Sequence, residues 1–354
     1  MIQNKIGGDF EIEPSLLINN KLEFKPKGYL FSSGRIALHV ILGFLKNEKN
    51  INEILLPDYL CESIIKTAEN NNLKISFYKL DHSFNPDKNC FPLSLTNKAI
   101  LVINYFGLID IHDTISFIKK NTRDCPIILD EVQALSEIYN ESNADFTFAS
   151  FRKFLPVPDG GWLVSNDERF TFDGSFKHAN FYQEKLAGGI LKYYAKSVQL
   201  EDHIYLKHFE EGEKMLDNYN DITTISEISE IILSNLEGKL DNYFKQRLIN
   251  ANFILEGLKR LEIPTLFPIN IISGAPLVIP IILKNREIVR KKFFENKIFL
   301  PIHWPVPSTY RESLLTGKAV EKTELSIVVD HRYSPDDLQR ILDILFYFAK
   351  KNIL

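Results

Sequence analysis

The chain has 354 residues, 45% hydrophobic and 25% charged, the balance of an ordinary globular α/β protein rather than a disordered one. Its 42 Lys and Arg against 46 Asp and Glu give a formal net charge of -4, without the basic excess that grips a phosphate backbone, so no nucleic-acid partner is expected. Cys61, Cys90 and Cys125 are widely spaced and form no CxxC pair, which fits a reducing compartment.

Residues 1–17 carry acidic residues and two glycines where a secretory leader needs a basic start and an apolar stretch. No apolar run approaches the ~18 residues of a membrane span. A cytoplasmic protein without a membrane partner is therefore expected. The length exceeds what one core usually serves, so two packed domains are expected.

From Ile54 onward short apolar runs alternate with amphipathic ones: Ile54-Leu55-Leu56, then residues 63–70, 74–80 and 99–104. A helical stretch over 112–120 and an apolar run over 126–129 follow. Ile100-Leu101-Val102-Ile103 and Ile127-Ile128-Leu129 are apolar at both parities, as strands must be when helices cover both faces of a parallel sheet. The order reads as βαβ units, so a large α/β domain with a doubly wound sheet is predicted. Beyond Ser226 come a long helical pattern over 228–261, a β-rich piece over 276–283 and two more amphipathic helices, which predict a smaller α+β domain. No Gly/Ser/Pro-rich linker separates the two, so the junction is placed near the long helix, with domains 1–235 and 236–354.

Three places could carry chemistry. Asp130 closes the run Ile127-Ile128-Leu129 and should stand at the carboxyl edge of a parallel strand, where open α/β sheets bind ligands. There it could hold a proton on a pyridine nitrogen, or simply cap a helix. Gln133 reaches the same place if a helical turn begins there. Lys153 follows the apolar run Phe146-Thr147-Phe148-Ala149, in a loop braced by Pro156 and Pro158 and ending in Asp159-Gly160-Gly161. Partial burial near a cation such as Arg152 would favour the neutral amine that attacks an aldehyde; most lysines are instead solvated surface charges. Ser32-Ser33-Gly34-Arg35 precedes the helical pattern Ile36, Ala37, Val40, Ile41, Phe44, either as a plain serine cap or as a phosphate site built from the free amides of a helix start.

No HExxH, zinc-spaced Cys/His cluster, GxSxG, P-loop or GxGxxG motif occurs. Of the eight histidines, His303 beside Trp304 is the one expected nearest a site, with a packed core position as the alternative.

In order along the chain, Ser33-Gly34-Arg35-Ile36-Ala37-Leu38, Leu129-Asp130-Glu131-Val132-Gln133 and the lysine segment ending in Asp159-Gly160-Gly161 resemble the DegT/DnrJ/StrS family of sugar aminotransferases. The similarity runs on through Leu55-Leu56-Pro57-Asp58-Tyr59, Ile103-Asn104-Tyr105-Phe106-Gly107, Arg247-Leu248-Ile249-Asn250-Ala251, residues 297–304 and Leu325-Ser326-Ile327, nearly the whole chain.

The resemblance implies a fold-type I aminotransferase fold and pyridoxal 5'-phosphate (PLP) as cofactor, with Lys153 its Schiff-base lysine and Asp130 the partner of its pyridine nitrogen. It also implies Gln133 near the phenolic oxygen, Ser33, Gly34, Arg35 and Ser150 at the phosphate, and a homodimer. The implied reaction moves an amino group, expected from glutamate, to a nucleotide-linked keto sugar for surface polysaccharide or glycoside biosynthesis. The alternatives are a sugar dehydratase, against which the lysine counts, and a non-catalytic binding or regulatory partner.

The sequence departs from the family pattern in places. Arg35 replaces a small hydroxyl residue. Cys61 falls where an aromatic usually stacks on the cofactor, which passes that task to Tyr59 or Tyr105. Residues 218–226 match poorly to the segment that reaches the neighbouring subunit.

Overall fold

The structure is a computed structural model describing residues 4–18, 24–92, 95–122, 125–136, 142–174, 177–195, 197–218, 221–269 and 274–353. Its centre is a seven-stranded sheet built from β2 (Tyr29–Phe31), β3 (Glu53–Pro57), β4 (Lys74–Tyr78), β5 (Lys98–Ile103), β6 (Ile127–Asp130), β7 (Phe146–Ser150) and β8 (Gly161–Ser165). They lie in the order β2-β8-β7-β6-β5-β3-β4, and within this sheet β8 alone runs against the rest.

The two parities of the apolar strands separate into two cores. Leu101 and Ile103 of β5 and Ile128 of β6 pack with Ile36, Ala37 and Ile41 of α1 (Gly34–Lys49). Ile100, Val102, Ile127 and Leu129 pack on the opposite face with Ile111, Ile115 and Ile118 of α3 (Ile111–Asn121). Alternating side chains thus bury both faces, at about 1.5–3 kcal/mol for each large apolar side chain. The predicted doubly wound sheet is what these runs form, with α2 (Glu62–Asn70) as the crossover between β3 and β4.

The helical pattern over 228–261 is not one helix. It divides into α6 (Glu227–Leu236) and α7 (Leu240–Arg260), with a tight turn over 237–239 at Gly238, the residue least able to hold a helix apart from proline. Leu240, at the start of α7, packs with Phe151 and Phe154 beside the sheet. Ala251, Ile254 and Leu258 belong to a separate core made by β9 (Val278–Ile282), α8 (Arg286–Glu295), β10 (Ile298–Phe299), β11 (Glu324–Val328) and α9 (Pro335–Ala349). β9 and β11 are antiparallel. The opening strand β1 (Ile6–Gly7) joins this core too, pairing with β10 and burying Ile6 completely.

Between β8 and α6 the chain forms a pair of packed helices, α4 (Phe181–Tyr194) and α5 (Asp202–Asp217), for which the strand-by-strand reading gave no expectation. The end of α5 reaches the start of α1, where Arg35 Nη1 donates to Leu216 O at 2.9 Å. Among the described residues no helix is long and apolar enough to cross a membrane.

Candidate active site

The carboxyl ends of β5, β6 and β7 and the amino end of α1 frame a cavity of about 320 Å³. Ser33, Gly34, Arg35, Asp130, Gln133, Ser150, Lys153 and His303, all singled out from the sequence, line it. Tyr59 does not.

Asp130 is the last residue of β6 and only 5% exposed. Its Oδ1 accepts from Val132 N–H at 2.8 Å, and among the described residues it has no ion-pair partner. Burial raises its pKa to about 7, against the Val132 amide and the nearby charge of Lys153, which both lower it. Such a carboxylate has no ion pair to offset its burial. Gln133 is equally buried, and its side-chain carbonyl accepts from Phe106 N–H at 3.1 Å, which leaves its NH₂ as the free donor.

Lys153 closes the short turn Phe151–Lys153 that follows β7. Arg247 underlies this turn, its guanidinium 4.6 Å from the Phe154 ring. The partial burial expected of Lys153 is not found. Its side chain is exposed and makes no hydrogen bond or ion pair with the described residues.

Ser33, also in the lining, caps α1, its Oγ accepting from Ile36 N–H at 3.2 Å. Gly34 follows, close to Ala149 O and Ser150. Asp159 is fully buried and accepts from Ser226 N–H at 2.9 Å and from the hydroxyls of Ser226 and Ser229. Of the segment 218–226, residues 219 and 220 lie outside the described residues, and Thr223 meets Ser32 at 2.6 Å between hydroxyl oxygens.

Gly161 permits this arrangement, because a Cβ there would stand 2.1 Å from the Ser33 carbonyl carbon and 2.5 Å from Gly34 N. Backbone atoms cannot yield as a flexible side chain can. Gly161→Ala is expected to cost about 3 kcal/mol of stability and to displace the Ser33–Gly34 amides, read as a lowered melting temperature together with weakened anion binding.

Two arginines stand beside the helix start, each already facing a carboxylate of α5. Arg35 Nη2 donates to Asp217 Oδ1 at 2.8 Å, and Arg152 Nη1 to Glu213 Oε1 at 2.9 Å. Burial alone would lower the pKa of Arg152, but Glu213 more than reverses this. Arg152 Nε is buried without a hydrogen-bond partner. The α5 carboxylates were not singled out from the sequence. Their signal is the four-residue spacing of Glu213 and Asp217, which puts both on one face of a helix.

Tyr59 and Tyr105, expected to stack on a ring in the cavity, lie behind its wall instead. Both are fully buried; Tyr59 donates to His303 O and Tyr105 to Tyr59 O. The side chains that do face the cavity are Cys61, Ile64, Val132, His303 and Trp304. His303 is buried, and that burial together with Lys153 lowers its pKa to about 3, which keeps the imidazole neutral. Among the described residues no group of three His, Cys, Asp or Glu side chains is placed to hold a metal ion.

Solved structures share this architecture. PseC of Helicobacter pylori, an aminotransferase involved in the biosynthesis of pseudoaminic acid, superposes with a TM-score of 0.68 at 13% identity, covering 98% of this chain and 100% of its own. The sugar aminotransferase CalS13 of Micromonospora echinospora gives 0.63 at 15%, covering 96% and 93%. DesV of S. venezuelae, in complex with a ketimine intermediate, gives 0.64 at 14%, covering 94% and 91%. At these identities the likeness establishes a common fold, the fold-type I aminotransferase architecture expected from the sequence. No family model matches the chain, and no curated protein is similar to it in sequence.

Proposed function

We propose that this protein is a PLP-dependent aminotransferase acting on a sugar. One observation carries the reading: a buried carboxylate without an ion pair, Asp130, and an unpaired lysine, Lys153, line a single cavity that the amino terminus of a helix also lines. The residues present fit PLP. Asp130 suits the protonated ring nitrogen, the free NH₂ of Gln133 suits the phenolic oxygen, and the amides after Ser33, with Ser150 and the unpartnered Nε of Arg152, suit the phosphate.

Bound PLP supplies an aldehyde that condenses with amines and a ring that accepts electrons from the carbon beside them. Lys153 would hold it covalently, and its amine would carry a proton to and from that carbon. Asp130 keeps the ring nitrogen protonated. Cys61, Ile64 and Trp304 add an apolar part to the cavity wall.

Glutamate as amino donor, a nucleotide-linked keto sugar as acceptor, a homodimer, a cytoplasmic setting and a boundary near residue 235 complete the proposal. Its support is the sequence resemblance and the sugar aminotransferases that share the fold.

The test is the visible spectrum of the protein with PLP before and after borohydride reduction, followed by peptide mapping. A reduced adduct on Lys153, with a cofactor band that bleaches on adding glutamate, is the expected result. A second reading, a binding or regulatory partner that keeps the fold without the cofactor, draws on the α5 carboxylates already paired with Arg35 and Arg152. Absence of PLP uptake, or an adduct on another residue, would make that reading the better one.

A further inference from the structure

The mechanism above leaves one buried polar cluster unused. Glu324 and Ser326 alternate along β11, so both point from one face of the strand toward the segment that carries His303. Both are completely buried. The backbone N–H of His303 donates to Glu324 Oε2 at 2.7 Å, and the hydroxyl of Ser326 donates to Glu324 Oε1 at 2.6 Å. Ser326 Oγ also lies 2.8 Å from His303 Nδ1.

A serine hydroxyl has one proton. Burial raises the Glu324 carboxyl to about 7; above that pH it is ionised and takes the hydroxyl proton, Ser326 can only accept from the imidazole, and the imidazole proton must lie on Nδ1. The Nδ1 edge of the ring is therefore turned inward to Ser326, while His303 itself lines the cavity beside Lys153. Nε2 makes no hydrogen bond with the described residues.

We infer that Glu324 and Ser326 are positioning residues that fix His303 with its proton on Nδ1, so that Nε2 presents a lone pair to the cavity and accepts a hydrogen bond from a sugar hydroxyl. The hydroxyl part rests on the sugar aminotransferase reading; the tautomer does not. A ligand carrying a hydroxyl at that point is selected over one carrying a carbonyl or ether oxygen, since two acceptors facing each other leave a buried group unpaired.

Glu324→Gln separates these roles with little change of shape. The new amide oxygen must take over the His303 N–H, which turns the amide NH₂ toward Ser326. Ser326 then accepts that bond and donates its own proton to Nδ1, moving the imidazole proton to Nε2. Ser326→Ala removes the acceptor altogether and releases the tautomer.

The experiment is nitrogen-15 NMR at pH 9, where Glu324 is ionised, of histidine-labelled protein without cofactor, using His303→Gln to assign the signal. In the wild type Nδ1 should resonate as a protonated nitrogen and Nε2 as an unprotonated one. Glu324→Gln should exchange the two positions, and Ser326→Ala should give a mixture. A wild-type Nε2 that carries the proton overturns the inference, as does a folded Glu324→Gln protein with unchanged signals.

For the hydroxyl part, UDP-glucose serves as a stable probe. Its binding should shift the Nε2 signal and weaken about tenfold in Glu324→Gln, the loss of roughly one hydrogen bond. Binding that leaves Nε2 unmoved overturns the hydroxyl part. Failure of the probe to bind the wild type counts against the sugar reading and the hydroxyl part together, while the tautomer result stands.

Discussion

Lys153→Ala should reduce turnover by about a thousandfold or more while the protein still takes up PLP without a covalent link. The basis is the division of labour in the cavity. Ser33, Gly34, Ser150, Asp130 and Gln133 are held by their own elements, and none of them hydrogen-bonds to Lys153. Removing an exposed side chain that pairs with nothing leaves those contacts intact and opens no core cavity, so the variant should melt close to the wild type. What is lost is the amine that forms the borohydride-stable link and relays the proton. The checks are a single-turnover assay with glutamate, a PLP titration and a melting curve run side by side. Wild-type turnover in this variant would overturn the assignment of Lys153.

Asp130→Asn should act in opposite directions on stability and chemistry. With its pKa raised to about 7 in the folded protein, Asp130 binds a proton in the native state at pH values where the unfolded chain, with a carboxyl near ~3.9, has released it. Stability contributed by this group is therefore fully present below about pH 4 and lost as pH rises through about 7. The loss is of order 4 kcal/mol at most.

The amide in the Asp130→Asn variant carries no such charge, so the cofactor-free variant should be more stable than wild type at pH 8 and differ little from it at pH 4. Turnover should nevertheless fall by roughly a hundredfold or more, because a neutral amide cannot keep a ring nitrogen protonated. Melting curves at the two pH values and the rate of band bleaching by glutamate test both halves. A variant less stable than wild type at pH 8 would mean that Asp130 already has a partner in the cofactor-free protein.

These residues were legible in the sequence because each is tied to a local rule. Asp130 ends an apolar run, Lys153 follows another, and Ser33 precedes a helical period, so strand and helix ends locate all three on one rim of the sheet. Tyr59 was misplaced because a residue just past a strand end is free to turn either way, and here its hydroxyl is drawn inward to the His303 carbonyl. Exposed Lys153 was expected to be half-buried because its neighbours in sequence are apolar; those neighbours, Phe151, Phe154 and Leu155, fill the core and leave the lysine outside.

The four-residue spacing of Glu213 and Asp217 marks a shared helix face but not what that face meets. On a charged amphipathic helix they look like any solvated face, and only the packing of α5 against the start of α1 reveals their partners. The Glu324–Ser326–His303 cluster spans two distant segments, and neither shows a periodicity that points to the other.

The pairing of β1 with β10 has a consequence for how the protein is made. Ile6 leaves the ribosome long before its partner Ile298, which is nearly three hundred residues behind it. At ~5–20 residues per second, the opening strand waits roughly 15–60 s before its place in the second core exists. Throughout that interval an apolar strand is available to a chaperone or to a neighbouring nascent chain. A strand made early is thus stitched into a core made late, and the placing of β1 becomes a late step of folding.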